Sequence, residues 1–201
     1  MQLTSQACLK ALERRLKSNM SNNDFRELYK QGIIVITSSI GDMQATSDII
    51  LSMLNWSRID PKKELQLYIS STSNDYLNVL SIYDAMQSIK NPLSGYAIGL
   101  VGGCSSLLLA ACNKGKRYIL EHSQIAMSEL RGVISSGANQ QTEVEIIANE
   151  LASQRETFEE LLSKHTSLNK EEIHKLCYDN VRLNPEEAIK MGFVDKVVKG
   201  K

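Results

Sequence analysis

The stretch ELQLYISSTSNDYLNVLSIYDAMQSIKNPLSGYAIG, residues 64–99, holds a complete strand–helix–strand unit. Glu64–Ser70 reads as a strand. Tyr76, Val79, Leu80, Tyr83, Met86 and Ile89 then recur at the three- and four-residue spacing of a buried helical stripe, and Ser94–Gly99 reads as the next strand. The same alternation continues in both directions. Upstream, Ile33–Thr37 is a β-branched run, and Asp42 can cap a helix carrying Met43, Ile50, Met53 and Leu54. Downstream, the small-residue turn Gly102-Gly103 leads into the apolar helix Ser105–Ala111, and Arg117–Leu120 and Gln124–Met127 are further strands. Strands alternating with helices specify an α/β domain with largely parallel pairing.

The last third changes character. Residues 140–164 spell a long amphipathic helix through Val144, Ile147, Leu151, Phe158, Leu161 and Leu162. Asn169 followed by Glu171 and Glu172 starts another, with acidic groups at the positive end of the helix dipole. Asn184-Pro185 starts a third helix that Gly192 ends, and Phe193–Val198 is a closing strand. At the other end, Cys8, Leu9, Leu12, Leu16 and Met20 lie at helical spacing among Arg and Lys, so residues 1–23 read as a helical appendage. The globular domain, 24–201, starts near Asp24.

Composition excludes several classes of function. The 201 residues are 42% apolar and 23% charged, enough for one sizeable core. Lys plus Arg equals Asp plus Glu at 23 each, which speaks against a nucleic-acid binder that neutralises phosphates and against a basic membrane-surface protein. No apolar window suits a membrane span or a secretory signal. The cysteines Cys8, Cys104, Cys112 and Cys177 form no CxxC pair, and no HExxH or clustered ligand set suggests a metal, so neither metal nor cofactor is expected. A reducing, cytoplasmic location follows as the expectation.

Four segments carry a resemblance: YISSTSN at Tyr68–Asn74, IYDAMQ at Ile82–Gln87, LLLAACNKGKRYIL at Leu107–Leu120 and NPEEAIKMGFVDKVV at Asn184–Val198. In this order they resemble the ClpP family, the proteolytic subunits of the Clp protease, from about Asp24 to Val198. The resemblance implies the crotonase-like spiral of ββα-type units, with a protruding strand-helix handle at about 129–166. It implies assembly of heptamers into a tetradecameric double ring with active ClpP paralogue subunits. It also implies docking of an AAA+ unfoldase of the ClpX, ClpA or ClpC type, with Tyr68 matching an aromatic of the docking pocket. For a photosynthetic eukaryote, the expected location becomes the plastid stroma.

The family's active-site positions carry other residues here. Counting from Lys114-Gly115-Lys116-Arg117 puts the nucleophile position at Gly103 and the histidine position at Ser128. Counting back from Glu186-Glu187-Ala188 puts the aspartate position at Asn180. Glycine has no side chain to attack a carbonyl, a serine hydroxyl is a poor general base, and an amide carries no charge for an imidazolium. Ser73 and Asn74 stand where the family has paired glycines in its oxyanion loop. The expectation is therefore a protein that is not an enzyme, similar in status to the ClpR proteins, with a structural or regulatory place in a mixed ring.

Two other readings use the same residues. A hydrolase with displaced groups would draw on Cys104, Ser105, Ser106 or Ser128, with His122, His165 or His174 as base. Cys104 reads better as a packed residue at a strand-to-helix turn, the serines as helix-cap and strand-end hydroxyls, His174 as exposed, and Asp179 as a surface charge. A homo-oligomeric protein that binds peptides or unfoldases is the third reading.

Overall fold

The computed structural model describes residues 27–37, 40, 43–130 and 141–199. The strands β1 (Ile33–Thr37), β2 (Leu65–Ser70), β3 (Leu93–Ala97), β4 (Leu100–Gly102), β5 (Arg117–Leu120), β6 (Gln124–Ala126), β7 (Arg182–Leu183) and β8 (Lys196–Val198) form two sheets. The larger has the order β1-β2-β3-β5-β8 and is parallel throughout. In the smaller, β4-β6-β7, β4 and β6 run parallel and β7 runs antiparallel to β6.

The helices are α1 (Met43–Ile59), α2 (Tyr76–Ser88), α3 (Ser105–Ala110), α4 (Gln141–His165), α5 (Lys170–Tyr178) and α6 (Pro185–Lys190), preceded by a helical turn at 27–30. Of the expected stripe of α2, Tyr76, Val79, Tyr83 and Met86 are buried and Leu80 and Ile89 half-buried, while Ile82, outside that stripe, is buried as well. They meet Leu65, Leu67 and Ile69 of β2 and Leu107–Ala110 of the fully buried α3 in one core. The helical starts read from Asn169 and Asn184 are reciprocal capping boxes. Each Asn side chain accepts from the amide three residues on, and that residue's carboxylate accepts from the Asn amide.

Three local readings need correction. The strand expected over Ser94–Gly99 ends at Ala97, and a further strand not read from the sequence, β4, follows it in the other sheet. The chain turns at Ile98-Gly99, where the Gly99 amide donates to Ser123 Oγ at 2.8 Å, so β3 joins the large sheet and β4 the small one. Gly102, read as turn, closes β4. The final strand is confined to Lys196–Val198, because Phe193 and Val194 are buried with both amides bonded to the Ala188 carbonyl at the end of α6. Strand β7, two residues long, has no periodicity to betray it.

Helix α4 divides in two. Phe158 and Leu162 are core residues, while Val144 and Ile146 near its start are exposed. The N-terminal appendage, the Asp42 cap, the domain start at Asp24 and the handle strand at 131–135 lie outside the described residues.

Candidate active site

The small sheet brings four chain segments together. The loop after β2 is fastened to β4 and α3: the Gly102 amide donates to the Ser71 carbonyl and the Cys104 amide to the Ser73 carbonyl, both at 2.8 Å. The Gly103 amide donates to the Ala126 carbonyl at 3.0 Å, which ties the turn to β6. The Met127 amide donates to the Val181 carbonyl at 2.8 Å, which brings in the segment after α5. Gly103, Ser128 and the neighbourhood of Asn180 therefore stand around one corner of the fold.

At that corner Gly103 has a φ of +55°, in the left-handed region that favours glycine. A Cβ placed there would stand 2.0 Å from Asn74 Oδ1 and 2.7 Å from the Ser73 carbonyl oxygen. The half-buried Ser128 hydroxyl donates to the same Asn74 Oδ1 at 3.3 Å. Asn180 is exposed with a φ of +51°, and its amide donates to the Tyr178 carbonyl at 3.2 Å within its own turn, not to Ser128. Ser73 is buried, and its hydroxyl donates to the Ile40 carbonyl at 2.6 Å while accepting from the Asp75 amide at 3.1 Å. Its side chain thus holds the loop in place.

The candidates for displaced chemistry are enclosed or already bonded. Cys104 is fully buried, and burial pushes its thiol up to about 12, with Cys177 and Asp75 adding to the rise. A thiol held that high supplies almost no thiolate near neutrality. Cys112 and Cys177 are pushed up to about 12 by burial in the same way. Ser105 and Ser106 are buried, donating to Ser71 Oγ at 3.0 Å and to the Gly103 carbonyl at 2.8 Å.

Of the histidines, His165 shares a 3.0 Å hydrogen bond with the Tyr83 hydroxyl. Burial, then Arg117, Lys114 and Lys164, holds its pKa below the usual value. His174, expected to be exposed, is half-buried, with Nδ1 2.8 Å from Oε1 of the buried Glu159. His122 and Asp179 are exposed. Among the described residues no group of three or more His, Cys, Asp or Glu side chains could hold a metal, and no helix is long and apolar enough to cross a membrane.

Asn74, a candidate from its place in the oxyanion loop, links the space at Gly103 to Ser128 through its side chain. Sequence reasoning missed two aromatic residues. Tyr96 and Tyr118 stack with Tyr68 across β2, β3 and β5, with ring centroids 4.6 and 4.8 Å apart. Parallel register places the three in one row with Val35, and the signal was a tyrosine at the matching position of each successive strand. Beside the far end of this row, Gly99, Leu120, His122 and Val198 line a cavity of about 370 Å³.

Such a fold, with strand–helix units building two sheets and a polar corner where four loops meet, defines an α/β protein of the spiral type. Residues 16–201 match the family model described as Clp protease. The chain belongs to the Clp protease family, and its α/β architecture is consistent with the ClpP fold. This overturns one expectation: the match over nearly the whole chain places the protein in a peptidase family, so the statement that it is not an enzyme does not stand.

Proposed function

We propose that this ClpP-type protein is a subunit of the proteolytic core of a Clp-type ATP-dependent protease and has a structural and regulatory role in a mixed ring. Paralogous subunits bearing Ser, His and Asp complete that ring. The observation that carries the reading is the corner at Gly103: a left-handed turn with no side chain, crowded by Asn74 at the position where the resemblance places the nucleophile. The buried Cys104, Ser105 and Ser106 weigh against a displaced nucleophile. The exposed start of α4 suits contact with another subunit, and the half-exposed row Tyr68, Tyr96 and Tyr118 suits an apolar segment of an unfoldase. A cytoplasmic location, or the stroma of a plastid, belongs to the same proposal.

The test is to isolate the tagged full chain from its native cells, weigh the intact particle and quantify its subunits. A high-mass particle holding this chain and a Ser-His-Asp paralogue in fixed ratio is the expected result. A homo-oligomer whose peptide hydrolysis copurifies with this chain alone would overturn it.

A further inference from the structure

The crowding at Gly103 has a consequence of its own. A Cβ at 103 would meet Asn74 Oδ1 at 2.0 Å and Asn74 Cγ at 2.9 Å, both far inside van der Waals contact, and the Ser73 carbonyl at 2.7 Å. Two of these three atoms belong to a single side chain. That side chain is held at its other edge by Ser128 Oγ, at 3.3 Å from the same oxygen. Its base is fixed as well, because the neighbouring Ser73 is buried, bonded through its hydroxyl to Ile40, and accepts from the Cys104 amide at 2.8 Å. Swinging Asn74 away would break its long contact with Ser128, while the Ser73 carbonyl, a backbone atom, can yield only if the whole loop shifts.

We infer that Asn74 is an interlock: its amide fills the volume that any side chain at position 103 would need and ties that volume to Ser128. A side chain at 103 and the Asn74 amide therefore compete for one volume, and each tolerates the other poorly. The inference concerns packing and holds whatever ring the chain joins.

The experiment is a double-mutant cycle in the full-length protein, with Gly103→Ala, Asn74→Ala and the pair followed by thermal unfolding. Gly103→Ala alone should lower Tm by roughly 3–10 °C, as overpacking at a positive φ does. In the Asn74→Ala background the same change should cost clearly less, though not nothing, because the Ser73 carbonyl remains. Equal losses in both backgrounds would overturn the interlock. As a second readout, the alkylation rate of Gly103→Cys, mapped by peptide mass, should rise at least several-fold when Asn74→Ala is added, and an unchanged rate would count equally against it. Either failure would leave the subunit proposal standing, since that is decided by the composition of the particle and needs only the missing side chain at 103.

Discussion

Arg117 and Asp195 lie 78 positions apart in sequence and form the best-connected ion pair among the described residues. The guanidinium meets the carboxylate twice, Nη2 to Oδ1 at 2.7 Å and Nε to Oδ2 at 3.0 Å, while Nη1 donates to the carbonyls of His165 and Ala110. The amides of Gly115 and Arg117 also donate to Asp195. Burial alone would raise the Asp195 pKa, but the bonds and charge of Arg117 outweigh it and hold the carboxyl below its ordinary value. Its stabilisation is therefore fully present above the unfolded value near pH ~4 and is lost as pH falls through the lower folded value. Acid unfolding followed by circular dichroism should show this loss in the native protein and not in Asp195→Asn. Removing the partner is harsher: Arg117→Met should cost about 3 kcal/mol, read by denaturant unfolding, because it leaves the half-buried Asp195 carboxylate without its cation.

The short helices of the last third owe their boundaries to their ends. Six residues of α6 cannot sustain a helix by propensity, and it is set by the Asn184–Glu187 capping box, Pro185 in its first turn and Gly192 after its close. Asn184→Ala should cost about 1 kcal/mol in chemical denaturation. Gly192→Ala should cost more, because φ is +78° there and a Cβ would stand 2.5 Å from Ser167 Oγ and 2.7 Å from the Ser167 amide nitrogen. A smaller loss for Gly192→Ala than for Asn184→Ala would contradict this account. The same packing joins the two family-like motifs of this chain. KGKR supplies Arg117, the segment ending in Asp195 supplies its counter-ion, and Gly192 lets the chain turn from α6 toward that pair.

At the scale of the molecule, the described chain leaves apolar surface without an internal partner. Only the second half of α4 joins the core, through Phe158 and Leu162, while Val144 is 41% and Ile146 57% exposed. Under the mixed-ring proposal this end of the helix packs on another subunit. Replacing Val144 and Ile146 together with Asp should then reduce the mass of the native particle while moving the Tm of the isolated chain by no more than about 2 °C, the range of ordinary surface substitutions. An unchanged particle mass would remove α4 from the interface. The tyrosine row is a separate surface on the large sheet, so its substitution should leave that mass as it is.

Local pattern determined most of the secondary structure. The strands at 33–37 and 117–120 coincide with their β-branched and apolar runs, and the helix stripes and asparagine caps reflect residue spacing that needs no distant partner. The positions Gly103, Ser128 and Asn180 were legible by counting from motifs. Tertiary structure decided the rest, because it depends on which segments meet. The break between β3 and β4 follows from their joining different sheets, and the two-residue β7 exists only through its pairing with β6. The second half of α4 joins the core, through Phe158 and Leu162, because of what lies beside it, since its own periodicity runs on unchanged. What Asn74 touches, and how completely Cys104 is closed off, followed only when the loop after β2 was laid against the turn at Gly103: a side chain's occupied volume and its exposure to water are properties of its neighbours in space.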